Sequence, residues 1–316
     1  MGAVQDRVLV LRQLGLGDLL ATVPALRALR SALPEDRLAL ACPAPVGTLL
    51  HDAGLVDEVV AASGELQPVS WSGPSPRVGI DLHGNGPASR SLVQALSPSR
   101  LVCFGAQDVP GPMWRRDEHE SHRWCRLVEE AFGSACDPDD RRLPPPRSVP
   151  PVADVVVLHV GAASGARRWP PDRFAEVAAA LSRRFPVVLT GSADERPAAE
   201  QIASTAGLPH SAVLAGRTSL DELAAVVAAA RLVICGDTGV AHLASAYARP
   251  SVLLFGPIPP AWWGPPATGP HAALWHGVEP GDPWGDQPDP ALLRIQVDEV
   301  LAAVDSVHRS NERTNA

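Results

Sequence analysis

Short apolar runs alternate with longer amphipathic stretches along most of the chain, and this alternation restricts the fold more than any other feature. Residues 7–11 (RVLVL) and 154–159 (DVVVLH) are nearly continuous apolar runs, which is typical of strands that are covered on both faces. In the stretches that follow, such as residues 18–33 and 171–185, apolar residues recur at helical spacing. Strands that alternate with helices indicate parallel βαβ units, so we predict an α/β fold.

The same pattern locates the remaining strands. Pro24 lies inside the first helical stretch, so we expect that helix to kink there or to begin later. Each half of the chain contains four further strand candidates; they are residues 37–41, 58–61, 78–82 and 101–104, followed by residues 187–190, 212–214, 232–235 and 251–255.

A proline-rich segment divides this pattern into two halves. Residues 143–151 (LPPPRSVPP) contain five prolines, which are incompatible with a sheet interior or the middle of a helix. A chain of 316 residues also exceeds the size of about 250–300 residues at which a single core stops growing. We therefore predict two Rossmann-like domains whose parallel sheets face an interdomain cleft, with bounds at 1–143 and 152–316 and a linker at 144–151.

Composition argues against several classes of function. The 35 acidic and 27 basic residues give a net charge of −8, which does not suit a nucleic-acid-binding protein. No lysine occurs, so all 27 basic residues are arginine, and this excludes a Walker A phosphate loop and a Schiff-base lysine. No apolar stretch approaches the roughly 18 residues of a membrane span, and no signal peptide is evident. We expect a soluble, cytoplasmic protein, with peripheral membrane contact left open.

The cysteines give a further expectation about the compartment. Their number is odd and none of them forms a CxxC pair, so the sequence favours neither a zinc site nor a disulfide framework. A reducing compartment is the better interpretation. The five residues are Cys42, Cys103, Cys125, Cys136 and Cys235.

The turn after the first strand carries the first candidate site. Gly15 and Gly17 allow close approach of a ligand to the backbone, and Asp18 places a carboxylate at the carboxyl end of the strand, where ligands bind in open α/β sheets. The third glycine of the dinucleotide fingerprint is replaced by Leu20, which disfavours a dehydrogenase. A cap for the following helix is the structural alternative for Asp18.

The loop that follows strand 154–159 carries the second candidate site. Small residues, including Ser164, precede Arg167 and Arg168. Backbone N–H groups and guanidinium groups together can hold phosphate, because the planar guanidinium matches two phosphate oxygens. A mobile loop with solvated arginines is the alternative.

The third candidate follows strand 232–235. Thr238 is a good N-cap, and the free N–H groups of a helix start at Gly239 and Val240 favour an anion. Asp237 precedes this turn and His242 lies one turn into the helix. A structural role for His242 is an equal alternative.

Two weaker candidates end other strands. Asp81 and His83 lie at the end of strand 78–82 and can face the cleft, although ordinary turn chemistry explains them equally well. Residues 255–266, rich in proline, glycine and tryptophan, can line a sugar or base pocket or can pack the edge of the domain.

Taken together, these segments resemble glycosyltransferase family 9, the family of ADP-heptose:lipopolysaccharide heptosyltransferase-like proteins. The matching segments occur in order over nearly the whole chain: RQLGLGDLLATVPALRALR at 12–30, DLHGNG at 81–86, GARRWPPDRF at 165–174, CGDTGVAHLASA at 235–246 and LFGPIPPAWWGPP at 254–266. The resemblance implies a GT-B fold and inverting, metal-independent transfer of a sugar, such as a heptose, from a nucleotide-diphosphate sugar to a hydroxyl group.

The resemblance also implies roles for individual residues. Asp18 matches the catalytic base, and Arg167–Arg168 fall where the family has a phosphate-binding lysine. Glu195 matches an acidic residue that holds the donor ribose. The wider prediction assigns Gly17, Asp81 and His83 to the acceptor side, and assigns to the donor side Ser164, Arg167, Arg168, Glu195, Asp237, Thr238, Gly239, Val240 and His242.

The predicted substrates and the alternatives follow from this assignment. The resemblance implies an ADP-sugar donor, a glycan, glycolipid or small-molecule hydroxyl acceptor, no cofactor and no metal, within lipopolysaccharide or other cell-envelope glycan synthesis. A GT-B-shaped sugar-nucleotide epimerase or hydrolase and a non-catalytic nucleotide-sugar binder remain the alternatives. An epimerase needs no acceptor, so product analysis with and without acceptor separates them.

Overall fold

Ten strands in two parallel sheets form the framework of the protein, which we describe from a computed structural model covering residues 6–62, 64–106 and 109–314. The first five strands are β1 (Arg7–Leu11), β2 (Arg37–Cys42), β3 (Glu58–Ala61), β4 (Val78–Asp81) and β5 (Arg100–Val102). The other five are β6 (Val156–His159), β7 (Val187–Thr190), β8 (Leu232–Gly236), β9 (Ser251–Leu254) and β10 (His271–Leu274).

Helices follow most of the strands, as the alternating pattern predicts. Those of the first half are α1 (Leu16–Leu20), α2 (Val23–Ala32), α3 (Ala44–Asp52), α4 (Pro87–Gln94) and α5 (Glu120–Phe132). Those of the second half are α6 (Pro171–Ser182), α7 (Arg196–Thr205), α8 (Leu220–Ala228), α9 (Gly239–Ala246), α10 (Pro260–Trp263), α11 (Pro290–Arg294) and α12 (Val297–Thr314). Pro24 lies in the first turn of α2, so the predicted helix 18–33 is two helices, as a proline at that position requires.

The chain forms two compact units, Met1–Arg141 and Arg142–Ala316, and each contains one sheet. In the first unit the strand order is β3-β2-β1-β4-β5, and every neighbouring pair is parallel. The order reverses between β1 and β4, where Leu11 pairs with Asp81 at the carboxyl ends of both strands. Ligands of open α/β sheets bind at such a switch point.

The sheet of the second unit has the order β10-β9-β8-β6-β7, again with all pairs parallel. Its order reverses between β6 and β8, where His159 pairs with Cys235. The α/β class with parallel sheets that the sequence predicts is confirmed.

Two parts of the second sheet differ from the prediction. The expected strand at 212–214 is reduced to a single parallel bridge between Leu189 and Val213, because a short 3₁₀ turn precedes it and Gly216, with φ +63°, turns the chain away after it. Strand β10 was not expected, because a half-exposed edge strand of four residues has no clear apolar pattern.

Apolar residues from both faces of each sheet form the cores. In the second unit Trp169 and Phe174 are buried against the sheet, and their rings meet edge to face with centroids 5.0 Å apart. In the first unit Phe104 and Trp124 are buried with centroids 5.6 Å apart. Burial of this kind stabilises each unit by removing apolar area from water.

One expectation about the cysteines is wrong. Cys125 and Cys136 form a disulfide, although the sequence did not favour a disulfide framework. Gly133 ends α5 in the left-handed conformation, with φ +70°, so the chain turns back and brings Cys136 beside the helix. Spacing alone could not show this return of the chain. Cys42, Cys103 and Cys235 are free thiols in buried positions.

Candidate functional site

The carboxyl edge of the first sheet brings together several of the predicted residues. Gly17 and Asp18 lie in α1, directly after β1, and Asp81 and His83 lie at the end of β4. Since β1 and β4 are neighbours, the four residues share one end of the sheet. This arrangement follows from the strand order, because carboxyl ends of parallel strands meet at the same edge.

A buried arginine organises this edge. The side chain of Arg12 is 0% exposed, whereas that of Asp18 is 35% exposed, and Arg12 Nη2 lies 3.5 Å from Asp18 Oδ1. Arg12 Nε donates to the backbone oxygen of Asp18 at 2.8 Å, and Nη1 donates to the carbonyl of Leu82. The cation therefore connects the ends of β1 and β4 and holds the Asp18 turn.

Helix α5 supplies the counter-charge for Arg12. Glu120 Oε1 accepts from Arg12 Nη2 at 2.8 Å and from the indole of Trp124, also at 2.8 Å. The Arg12 guanidinium lies over the Trp124 ring, 4.7 Å from its centroid. A buried charge needs such pairing, because desolvating it alone is costly. Arg123 completes the cluster with an ion pair to Glu120.

Asp81 and His83 form a second group of polar residues at this edge of the sheet. The Asp81 carboxylate is buried and accepts from the His83 amide at 2.9 Å and from Ser89 Oγ at 2.8 Å. Burial raises the pKa of Asp81, and burial together with the charge of Arg12 lowers the pKa of His83. Asp81 shapes the turn, and His83 is uncharged near neutral pH.

At the carboxyl edge of the second sheet, Arg167 and Asp237 come together. Arg167 follows β6 in a short 3₁₀ turn, and its Nη1 lies 3.8 Å from Asp237 Oδ2, beside the start of α9. Thr238 is the N-cap of α9, so the amides of Gly239 and Val240 begin that helix. A guanidinium beside a helix start forms an anion site.

The two predicted arginines do not share one position. Arg168 Nη2 donates to the carbonyl of Ala162, in the same loop, at 3.2 Å. Arg168 is exposed. Ser164 donates to the carbonyl of Pro283 at 2.6 Å. Arg167 therefore faces the helix start, while Arg168 and Ser164 hold the loop.

Glu195 closes the other side of this edge. Its Oε1 accepts from the Ala162 amide at 3.0 Å and its Oε2 from the Ser192 amide at 2.7 Å, so it joins the loops after β6 and β7. A Cβ on Gly161 would lie 1.9 Å from Glu195 Oε2, so only glycine leaves room for the carboxylate.

Two histidines lie behind the loops of this edge. His159 Nδ1 lies 3.0 Å from Thr190 Oγ1, and burial lowers the pKa of His159 to about 4. His242 is buried in α9, and its ring meets Trp263 edge to face with centroids 5.9 Å apart. The tryptophan-rich loop thus packs against the helix that carries the predicted anion site.

Sequence reasoning missed Arg12 and Glu120, as well as Trp284, which contacts the Arg167 loop. Arg12 was detectable as the first charge after an apolar strand. Glu120 pairs with it from 108 residues away and carries no local signal. Within the described residues, no group of three or more His, Cys, Asp or Glu side chains could hold a metal ion. Across that same part of the chain, no helix is long and apolar enough to cross a membrane.

Comparison with known proteins agrees with this architecture. A crystal structure of a glycosyl transferase family 9 protein from Veillonella parvula DSM 2008 matches with a TM-score of 0.78 at 18% identity, covering 98% of this chain and 99% of that one. The structure of E. coli ADP-heptose lps heptosyltransferase II matches with a TM-score of 0.73 at 20% identity, covering 97% and 99%. The fold is that of the GT-B heptosyltransferases.

Sequence comparison points to the same family as the structural matches. The family model described as glycosyltransferase family 9 (heptosyltransferase) matches residues 122–276. Lipopolysaccharide heptosyltransferase 2 of Escherichia coli K12 is 37% identical over 99 residues, which are 30% of this chain and 28% of that protein. The chain is therefore similar to the heptosyltransferases of glycosyltransferase family 9, and the predicted resemblance is confirmed.

Proposed function

We propose that the protein is an inverting, metal-independent glycosyltransferase that moves a sugar from a nucleotide-diphosphate sugar to a hydroxyl acceptor. The observation that carries this proposal is the position of the Arg167 guanidinium, 3.8 Å from Asp237 at the start of α9 and at the switch point of the second sheet. This edge supplies cationic and amide groups suited to a diphosphate.

The second unit would bind the donor and stabilise the leaving group. As the bond from the sugar to the diphosphate breaks, negative charge grows on the phosphate oxygens. Arg167 and the first amides of α9, at Gly239 and Val240, can stabilise that charge without reorganisation. Arg167 would replace the phosphate-binding lysine of the family, because a planar guanidinium group can bind two phosphate oxygens at once. Asp237, His242 and Glu195 remain proposed contacts of the sugar and the ribose.

The first unit would activate the acceptor. The acceptor oxygen forms a bond to the anomeric carbon while its proton passes to the Asp18 carboxylate, and the sugar–phosphate bond breaks in the same displacement. A single displacement inverts the configuration at that carbon. Asp18 suits the part of general base because its carboxylate is partly exposed while Arg12 fixes its backbone. Gly17, Asp81 and His83 would line the acceptor side.

The relatives narrow the substrate class. The E. coli proteins are described as ADP-heptose and lipopolysaccharide heptosyltransferases. We therefore propose an ADP-sugar donor, with a heptose as the first candidate, and a glycan or glycolipid acceptor in cell-envelope synthesis. Cytoplasmic placement, the division into an acceptor domain at 1–143 and a donor domain at 152–316, and the linker at 144–151 belong to the same proposal.

A ligand screen followed by product analysis tests this function. Ligands that bind the native state raise its melting temperature, so ADP-, GDP-, UDP- and dTDP-sugars are compared by thermal shift. The donor identified in this way is incubated with and without acceptor sugars. Acceptor-dependent release of the nucleoside diphosphate together with a glycosylated product is expected. Conversion of the donor without any acceptor would instead indicate an epimerase or hydrolase, and binding without turnover would indicate a binder.

A further inference from the structure

A loop between β10 and α11 lies directly against the predicted phosphate-binding turn. We call residues 281–289 the latch loop. Ala166 donates its amide to the carbonyl of Gly285 at 2.8 Å, and Asp289 donates its amide to the carbonyl of Ala166 at 3.1 Å. Ser164 Oγ adds a hydrogen bond of 2.6 Å to the carbonyl of Pro283. The latch loop and the turn that carries Arg167 are therefore held together by backbone groups on both sides.

Steric contact fixes this position further. A Cβ on Gly165 would lie 1.9 Å from the carbonyl oxygen of Asp286, so the two backbones touch at a point where no side chain fits. At its other end the latch loop is tied to the loop after β9, because Gly281 donates to the carbonyl of Pro257 at 2.7 Å. The latch loop is therefore held in a fixed position beside Arg167.

The latch loop presents an indole that the core does not use. Trp284 is 71% exposed, although its amide is fixed by a hydrogen bond of 2.9 Å to Asp282 Oδ1. The centroid of its ring lies 5.8 Å from the guanidinium carbon of Arg167. Leaving an indole in water forfeits a large apolar burial, so a tryptophan held at this place suits contact with a ligand.

The positive charge of Arg167 indicates that the ligand carries an anionic group. Arg167 is 22% exposed and pairs with Asp237 at the longer distance of 3.8 Å, and its Nε is buried with no hydrogen-bond partner among the described residues. A guanidinium with this much unused hydrogen-bonding capacity favours an anion with several oxygens. A group bound to that anion lies within reach of the neighbouring indole.

We propose that Trp284 is a stacking contact of the donor site, which binds the flat face of a ring joined to the diphosphate at Arg167. This inference rests on the proposed function and adds a residue that selects the donor. A nucleobase and a glycosyl ring both offer such a face and both are joined to the diphosphate of a nucleotide sugar. Base–aromatic stacking contributes about 1–3 kcal/mol, which corresponds to about a five- to hundred-fold change in affinity.

Calorimetric titration of the full chain with inorganic pyrophosphate, ADP and ADP-heptose tests the assignment. For Trp284→Ala we expect about ten-fold weaker binding of ADP-heptose and unchanged binding of pyrophosphate. Trp284→Phe keeps a ring and should retain most of the affinity. Val278→Ala is the matched control, because Val278 is 88% exposed and lies outside the latch loop. The unfolding temperature of each free variant is measured to exclude a folding effect.

The three ligands also identify which ring is stacked. Weaker binding of both ADP and ADP-heptose to Trp284→Ala assigns the indole to the nucleobase, and weaker binding of ADP-heptose alone assigns it to the sugar. Unchanged affinity for all three ligands, or an equal loss for pyrophosphate, overturns the inference while the proposed function stands. Failure of the unmodified protein to bind any of the three contradicts the proposed ADP-sugar donor site, and the inference falls with it.

Discussion

Arg12 Nη2 lies 3.5 Å from Asp18 Oδ1, and the arginine is fully buried while the aspartate reaches solvent. The same guanidinium holds the backbone oxygen of Asp18 through Nε at 2.8 Å. A buried cation therefore fixes the backbone of the residue that we propose as the base and lies beside its carboxylate. Removing Asp18 and removing Arg12 should therefore have different effects.

Asp18→Asn should abolish transfer and leave donor binding intact. The amide cannot take the proton of the acceptor hydroxyl, and general-base catalysis contributes about 10²–10⁴-fold to a rate. Turnover is measured with saturating donor and acceptor, and the donor affinity is measured by calorimetry. A variant that turns over normally would remove Asp18 as the base.

Arg12→Met should lower both the turnover number and the stability. The substitution removes one of the two arginines that pair with buried Glu120, and breaking a buried pair costs at most about 3–5 kcal/mol, because Arg123 still pairs with the carboxylate. The free energy of unfolding is measured in urea. Arg30→Met is the control, because the Arg30–Asp57 pair is partly exposed and such pairs contribute about 0–1 kcal/mol. Equal losses in the two variants would contradict the structural role of Arg12.

Arg12→Lys separates positioning from folding. Lysine keeps the charge, but its single ammonium group cannot replace the three guanidinium nitrogens that donate to the Asp18 backbone, Leu82 and Glu120. We expect a lower kcat, an unchanged KM for the donor and a smaller loss of stability than in Arg12→Met. An unchanged kcat would show that the guanidinium does not orient the base.

Arg167→Ala should weaken the binding of the nucleoside diphosphate much more than Arg168→Ala. Arg167 lies beside Asp237 at the start of α9, whereas Arg168 bonds to the carbonyl of Ala162 in its own loop. A hydrogen bond to a charged group contributes about 1.5–3 kcal/mol, so we expect a loss of at least about ten-fold for Arg167→Ala. The affinities for ADP are compared by calorimetry. Similar losses for both variants would indicate that the two guanidiniums share the phosphate.

His159 should make the second unit sensitive to acid. Burial lowers the pKa of His159 to about 4 in the folded protein, below the ordinary value of 6.5, so the unfolded chain binds the proton more readily. The contribution to stability is complete above about pH 6.5 and is lost as the pH falls towards 4, by up to about 3 kcal/mol. Urea unfolding at several pH values measures it. His159→Gln should flatten the profile in this window, and an unaltered profile would show that other groups cause it.

Removal of metal ions should leave transfer unchanged. The proposed stabilisation of the diphosphate comes from Arg167 and the amides of α9, so EDTA should not affect the rate. Turnover is measured before and after EDTA treatment, with Mg²⁺ and Mn²⁺ added back to separate samples. Complete loss that a metal restores would contradict the scheme.

The alternating pattern predicted the two parallel sheets because buried parallel strands are continuous apolar runs with helices between them. It also placed Asp18, Arg167 and Asp237 at strand ends, where the strand order later shows the switch points. It failed where the contacts are distant in sequence or the segments lack a period. The Arg12–Glu120 pair spans 108 residues, and Trp284 lies in a loop whose place depends on hydrogen bonds to Ala166.

The contact of Gly161 with the carboxylate of Glu195 links two positions that are far apart in the chain. Because a methyl group at 161 would overlap the carboxylate, a larger residue at 161 requires that the Glu195 side chain move or be shortened. Among related sequences, we expect these two sites to covary, with any larger residue at the first accompanied by a shorter one at the second. Gly161→Ala alone should displace Glu195, whereas combining it with Glu195→Ala should restore part of the lost stability.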